Sequence, residues 1–280
     1  MKIKSCNLQL HLSTGCRWAD IDKLTMVARL IFRTRKFIPR DLYEPHHLVL
    51  KYQFPWKNVN NMKAIEFHAL DYSATPHAWV ADLYRLRKEV FADRLSWKVN
   101  INNGIEFDEY DSERTTYLIG TWEGVPLAGL RLISTLDPYM VEGPFRDFFR
   151  CEPPKHALMA ESSRFFVDKI RSRQHGLTQV PLTEMLLFCM HNYAAGSGLE
   201  SIITVVSNAM GRVVRNAGWH YEVLDTGEAS PGEKVLLLNM PVTECNRQRL
   251  MSSIARKQPL SSTQASQWPH RLHIRDTPLG

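Results

Sequence analysis

Apolar and polar positions follow two periods along this chain, and the switches between them outline its elements. From Met62 to Leu70 the alternation has a period of two and predicts a strand. Over residues 77–91, Val80, Leu83, Tyr84, Arg87 and Phe91 recur at helical spacing, which puts Arg87 on the apolar face of a helix. A polar loop follows, with Asn102-Asn103-Gly104 as a turn signal. Tyr117–Gly120 and Leu127–Ile133 read as strands joined at Glu123-Gly124, a short helical piece covers about 143–149, and Ala160–Asp168 reads as a strand. Residues 179–195 form the clearest helix, with Leu182, Met185, Leu186, Cys189, Met190 and Tyr193 on one stripe. The β-branched run Ser201–Ser207 predicts a strand, Ala209–Asn216 a short helix ending at Gly218, and Trp219–Leu224 and Lys234–Met240 the last two strands. Strands alternating with helices, with hairpins at the front and back, predict an α/β sandwich: a mixed sheet with helices on both faces.

The ends of the chain break this pattern. Residues 1–61 show little periodicity and several prolines, and do not read as a domain. They are expected to be a disordered extension or not native, with Met62 the true start, so that 62–244 is the domain. From Cys245 to 280 the chain is polar and rich in Ser, Pro and Gln, and is expected to be a disordered tail.

Charge sharpens this division. The chain carries a formal +6, but residues 1–61 alone hold +7, leaving the remainder at −1. A nucleic-acid-binding reading of the main domain therefore loses its support, although 1–61 as a basic arm on a non-enzymatic binder is the rival from another class. The five cysteines are scattered, with no CxxC or Cys/His ligand spacing, so no metal site is expected and a reducing cytoplasm fits. No apolar stretch approaches a membrane span, and the first residues lack a signal-peptide core, which implies a cytoplasmic protein with no membrane insertion.

Three placements carry chemistry. The strand at Ala160–Asp168 holds an acid, Glu161, and a base, Arg164, where buried charges cost several kcal/mol unless paired or used. A plain strand points these two to opposite faces, so a bulge near Ser162-Ser163 is predicted if both serve one cleft. Arg87 needs an anion, and Asp108 and Asp111 lie on the following loop; that loop is either a solvated acidic segment or one pinned by Arg87 and by Arg131, itself inside an apolar strand. Glu161 is either a salt-bridge partner of Arg164 or a group put to use.

The segments Arg87-x-x-x-Phe91-x-x-Arg94-Leu95-x-Trp97, Glu106-x-Asp108-x-x-Asp111, Gly129-x-Arg131-Leu132 and Glu161-x-Ser163-Arg164-Phe165-x-Val167 together resemble the acyl-homoserine-lactone synthases of the LuxI type, in order and spacing, from about residue 64 to 242. The resemblance implies a three-layer fold similar to N-acetyltransferases, with a partly splayed sheet. It implies a reaction in which the amine of S-adenosylmethionine, a substrate and not a cofactor, attacks an acyl-acyl carrier protein, followed by lactone closure with loss of methylthioadenosine. Its functional positions fall on Arg87, Phe91, Trp97, Asp108, Asp111, Arg131 and Phe145 for the methionyl substrate and its loop, and on Glu161 and Arg164 for catalysis. Ser162, Phe165, Met190, Thr204 and Met210 are the expected acyl-pocket lining, and a threonine at position 204 is similar to members that prefer 3-oxo-acyl chains. A carrier protein is acidic, so Lys169, Arg171, Arg173, Arg212 and Arg215 are the candidate docking patch. The nearest rival is an N-acyltransferase using acyl-coenzyme A, whose pyrophosphate loop has paired glycines; Arg173-Gln174-His175-Gly176-Leu177-Thr178 lacks the second.

Overall fold

The computed structural model describes residues 64–94, 99–258 and 271–273. The extension over 1–61 and Trp97 lie outside the described residues. In chain order the elements are β1 (Ala64–Asp71), α1 (His77–Arg87), β2 (Ile101–Asn102), β3 (Ile105–Glu106), β4 (Thr115–Trp122), β5 (Val125–Ser134), β6 (Met159–Val167), α2 (Lys169–Gln174), α3 (Leu182–Gly196), β7 (Ser201–Ser207), α4 (Asn208–Asn216), β8 (Glu222–Ser230), β9 (Glu233–Pro241), α5 (Glu244–Ala255) and β10 (Arg271–His273). Eight strands form one sheet in the order β10-β1-β4-β5-β6-β7-β9-β8, and β2 and β3 make a separate small hairpin. All neighbours in the large sheet are antiparallel except β6 and β7. The expected α/β sandwich with a mixed sheet is what the chain forms.

Side-chain alternation sorts the two faces. Leu118, Leu130, Leu132, Ala160, Ile202, Leu238 and Met240 pack on α3 and α5. Tyr117, Ile119 and Phe166 face α1, while Ile133, Ile203, Val235 and Leu237 lie under the loop that joins β5 to β6. The site is built on this second face.

Local chemistry accounts for the joints. Glu123 and Gly124 take positive φ (50° and 80°), the two-residue turn that suits the twist of the β4–β5 hairpin. Asp168, Ser207 and Thr243 cap α2, α4 and α5 by accepting backbone N–H groups. After Arg87 the helix widens into a π turn over Lys88–Arg94, with Val90 and Phe91 buried.

The tail differs from its expectation. Residues 244–255 are helical, because Leu250 and Ile254, four apart, bury one stripe against α3. Each such burial contributes roughly 1.5–3 kcal/mol, enough to order a polar helix that carries its own cap. Backbone pairing of β10 on β1 also brings residues 271–273 into the sheet.

The parallel pair is short. β6 and β7 are matched only at Met159↔Ser201, Ala160↔Ile202 and Glu161↔Ile203, after which β6 continues to Val167 and β7 to Ser207 without a shared ladder. The sheet therefore forks immediately beyond Glu161.

Candidate active site

The fork lies beside a buried charge cluster. Arg87, on the inward face of α1, donates through Nε to Glu106 Oε2 (2.5 Å) and through both terminal nitrogens to Asp111 (2.8 and 3.0 Å). Arg131, in the middle of β5, forks onto Asp108, with one arm at 3.2 Å, and also lies 3.0 Å from Asp111. Arg164 completes the cluster, with Nε 3.0 Å from Glu106 and Nη2 2.7 Å from Asp108. Arg87, Arg131 and Glu106 are at most 1% exposed. Removing one partner from such a set typically costs about 3–5 kcal/mol, because the remaining charge is left stranded. The acidic loop is thus the pinned one, held by Arg87 and Arg131.

Burial opposes the charge on Asp111, but Arg87 and Arg131 outweigh it and hold the carboxyl well below the usual range. A hydroxyl chain steadies the same carboxylate. Tyr84 and Tyr117 share a hydrogen bond (3.0 Å), and the Tyr117 hydroxyl donates to Asp111 (2.8 Å).

Arg164 reaches the cluster through the expected bulge, which falls immediately after Ser162-Ser163. Gly129 pairs with Phe166 and Arg131 with Ser163, so Leu130 alone faces both Arg164 and Phe165. The extra residue is Arg164 itself, at φ 55°. That left-handed conformation costs a non-glycine residue roughly 1–2 kcal/mol, a cost the two ion pairs offset. Ser162-Ser163 itself, just before the bulge, is regular strand. There the alternation keeps Glu161 and Ser163 on the site face, where Ser163 Oγ accepts from Arg131 Nε at 3.0 Å. The bulge reverses the alternation, so Phe165 and Val167 pack on the opposite core and Phe166 returns to the site face.

Glu161 is 1% exposed and is not paired directly with Arg164. Its two oxygens instead accept the backbone N–H groups of Met140 and Val141, both at 3.0 Å. Burial pushes its carboxyl up to about 7, partly opposed by those two N–H groups and by Arg131 and Arg164. The Met140 sulfur meets Arg131 Nη2 at 3.1 Å and Arg164 Nη1 at 3.6 Å, so this residue links the charge cluster to the acid.

The loop between β5 and β6 borders the site, since Met140 touches Arg131, Arg164 and Glu161. Phe145 is half-buried there and stacks on Phe148 (5.4 Å between centroids). It meets the acidic loop at Gly143, where a Cβ would overlap the Tyr110 hydroxyl, and the Arg131 guanidinium lies 5.7 Å over the Tyr110 ring. Phe91 is buried in the α1 cluster beneath the Arg164 guanidinium, 5.8 Å from its ring.

The residues assigned to an acyl pocket share the other face. Ser162 and Thr204 are the first positions past the last β6–β7 pair, one on each arm of the fork. Met190 on α3 lies within the core on that side, with Phe165 and Met210 on α4 packed against it. The Thr204 hydroxyl meets no hydrogen-bond partner among the described residues, and the residue is nearly buried.

The proposed basic patch is only partly brought together. Lys169, Arg173, Arg212 and Arg215 are exposed, on helices that begin where β6 and β7 end. Arg171 departs from it. Its guanidinium clasps Asp82 of α1 (2.6 Å) and the Pro126 carbonyl (2.9 Å), which commits it to holding α2 in place. Lys169, Arg173 and Lys257 line a cavity of about 350 Å³ between the end of β6, α2 and the start of α3.

Sequence reasoning quoted Glu106 beside Asp108 and Asp111 but gave it no role, although it binds two of the three arginines. The signal was its spacing from Asp108: residues two apart in an extended segment point the same way. The N–H groups of Met140 and Val141 carry no side-chain signal at all.

Comparison with known proteins gives the same reading. A family model described as Autoinducer synthase matches residues 71–250. An acyl-homoserine-lactone synthase of Pseudomonas amygdali pv. tabaci is 60% identical over 209 residues, 75% of this chain and 92% of the relative. One from Serratia liquefaciens is 37% identical over 191 residues, 68% and 96% of the two chains. Among solved structures, the acyl-homoserine-lactone synthase LasI superposes with a TM-score of 0.60 at 17% identity, covering 71% of this chain and 98% of that one. The structure of BjaI, described as a coenzyme-A-dependent acyl-homoserine lactone synthase, with MTA, superposes with a TM-score of 0.62 at 20% identity, covering 68% and 90%, and so supports the fold. The chain belongs to the autoinducer synthase family, the acyl-homoserine-lactone synthases, and is an acyltransferase.

Proposed function

We propose that this synthase acylates the α-amine of S-adenosylmethionine from an acyl-acyl carrier protein, with preference for 3-oxo-acyl chains. It then closes the lactone by attack of the substrate carboxylate on its own γ-carbon, releasing methylthioadenosine. The observation that carries this reading is Glu161: a carboxyl with a pKa of about 7, held by two backbone N–H groups at the point where the sheet forks.

An α-amino group with pKa roughly 7.7–8.0 must lose a proton before it attacks a thioester. A base poised near neutrality is suited to take it, here through one water. The amine nitrogen forms the amide as the thioester C–S bond breaks, and the departing carrier thiolate takes up a proton. Attack is direct, without an acyl-enzyme. Burial raises both the Cys151 and the Cys189 thiols, the reverse of an activated nucleophile. Backbone groups on the facing edges of β6 and β7 have no shared ladder past Glu161, and they are the donors we assign to the tetrahedral oxyanion.

The substrate's amino-acid end lies between the charge cluster and the Phe145 loop. Arg87 and Arg131 hold the acidic loop through Asp108 and Asp111; Phe145 supplies an aromatic surface, a role we also assign to Trp97. The acyl chain passes through the fork to Ser162, Phe165, Met190, Thr204 and Met210, where the Thr204 hydroxyl is available to a 3-oxo group. Lys169, Arg173, Arg212 and Arg215 receive the acidic carrier, and the cavity beside Lys169 accepts its pantetheine arm. We place the enzyme in the cytoplasm. Supporting this, Cys151, Cys189 and Cys245 are free and no described helix is long and apolar enough to cross a membrane.

The test is a purified-enzyme assay with S-adenosylmethionine and matched acyl donors on carrier protein or on coenzyme A, read by mass spectrometry. Acyl-homoserine lactone and methylthioadenosine should form together, faster from the carrier protein. A faster rate from coenzyme A would replace the donor, and absence of both products from folded protein would refute the reaction.

A further inference from the structure

We infer that Asp225 and Gly227, on the edge strand β8, are positioning residues that set the aromatic loop over the site from outside it. The loop between β5 and β6 is held at its inner end by Glu161 and at its base by Tyr139, whose hydroxyl donates to the Pro154 carbonyl (2.6 Å). Its far limb is held by β8. One oxygen of Asp225 accepts the backbone N–H groups of Arg150 (2.7 Å) and Cys151 (2.9 Å), and the other accepts that of Thr226 (2.7 Å).

This contact depends on a second bulge. Val223 pairs with Leu238 and Asp225 with Leu237, so Leu224 is extra and Asp225 turns to the face of Leu237, which lies under the loop. A regular strand would point Asp225 to the other side of the sheet. Two residues on, a Cβ at Gly227 would overlap the carbonyl of Phe148 and touch the Phe149 ring. Phe148 stacks on Phe145, so the path from the sheet edge to the roof of the site is Gly227, Phe148, Phe145. Neither residue touches the charge cluster or Glu161, and both act through the loop.

Asp225→Ala frees two backbone N–H groups from a charged acceptor, whereas Asp225→Asn keeps an acceptor oxygen. Gly227→Ala suits an edge strand but pushes Phe148 outward. In hydrogen exchange without substrate, the amides of residues 145–151 should exchange about tenfold faster in Asp225→Ala and close to the parent rate in Asp225→Asn. The KM for S-adenosylmethionine should rise about tenfold in Asp225→Ala and in Gly227→Ala, with kcat and the KM for the acyl donor within about threefold. The kinetic arm rests on the proposed substrate and the exchange arm does not. A parent enzyme that makes no lactone therefore overturns the reaction, while the exchange pattern still decides the anchor. Unchanged exchange in Asp225→Ala, equal defects in its Ala and Asn variants, or a loss in kcat with no change in KM would overturn the inference. Should Asp225→Ala fail to fold, Gly227→Ala decides it by the same KM criterion.

Discussion

Replacing Glu161 with glutamine separates its two roles. Burial lifts the folded-state pKa from 4.5 to about 7. At 1.36 kcal/mol per unit this corresponds to about 3 kcal/mol of preference for the protonated form. The native state therefore binds more protons than the unfolded chain between about pH 4.5 and 7. The contribution of this group is fully present below 4.5 and is lost as the pH rises through 7. Glutamine cannot titrate, so it removes that slope. It also turns an N–H donor toward Met140 or Val141 where the carboxylate accepted, which costs about 1–3 kcal/mol at every pH. In urea unfolding from pH 4.5 to 8, the parent should lead the variant most at the acid end. The gap should shrink by about 3 kcal/mol toward pH 8. A gap that stays constant would refute the assignment of the raised pKa to Glu161.

The same substitution has a kinetic readout. Loss of a general base lowers kcat by roughly 10²–10⁴-fold. On the acid side, log kcat/KM of the parent should fall with a slope of 1 that breaks near pH 7, because only ionised Glu161 can take the ammonium proton; in the variant the amine must lose its proton to solvent, and the break moves up to roughly 7.7–8.0. Equal break points and equal rates would remove Glu161 from the chemistry.

Glu106→Gln leaves Arg87 with Asp111 alone and Arg164 with Asp108 alone, gives the buried cluster one uncompensated positive charge, and should destabilise the fold by about 3–5 kcal/mol in denaturant melts, more than a surface substitution such as Glu152→Gln. Thr204→Val should lower the ratio of 3-oxo to unsubstituted lactones, measured by mass spectrometry with mixed donors, and leave total turnover within about threefold. Affinity for S-adenosylmethionine, measured by calorimetry, should rise with pH through about 7 in the parent; it should lose that dependence in Glu161→Gln.

The sequence exposed the elements wherever one signal dominated. Ser201–Ser207 is a run of β-branched residues, and it is a strand over those same bounds. Leu182 to Met190 is apolar enough that the helix stands out without its neighbours. The α5 helix was hidden by composition, since Leu250 and Ile254 are diluted by Arg, Gln and Ser, although Thr243 capping Asn246 marked its start. In the site, the arginines were legible because a guanidinium on an apolar stripe demands an anion, and the acids lay on the next loop. The bulge was legible as a need, and its place only to within a residue or two. Whether the strand breaks step at Ser162 or at Arg164 depends on pairing with Gly129 and Arg131, more than thirty residues away. Arg171 and Asp225 were out of reach for the same reason. Their partners lie 89 and about 75 residues away in sequence, and nothing local distinguishes a clasp from a solvated charge.

The charge arrangement gives a reason for the extra acid. Arg87, Arg131 and Arg164 are matched by Glu106, Asp108 and Asp111, so the cluster is neutral in itself and rigid by mutual pairing. Glu161 stands outside that balance, taking backbone N–H groups rather than a guanidinium. On the proposed reading the incoming substrate brings a sulfonium, an ammonium and a carboxylate, one net positive charge. An ionised Glu161 neutralises it, which lowers the cost of burying either charge alone. The ammonium proton then passes toward Glu161, and both partners become neutral before the amine attacks. A fourth arginine paired to Glu161 would stabilise the free enzyme, but it would hold the carboxylate ionised and too weak a base to take that proton. Leaving Glu161 to two backbone donors keeps it near neutrality, and the neutral ion cluster beside it fixes the geometry without competing for the proton.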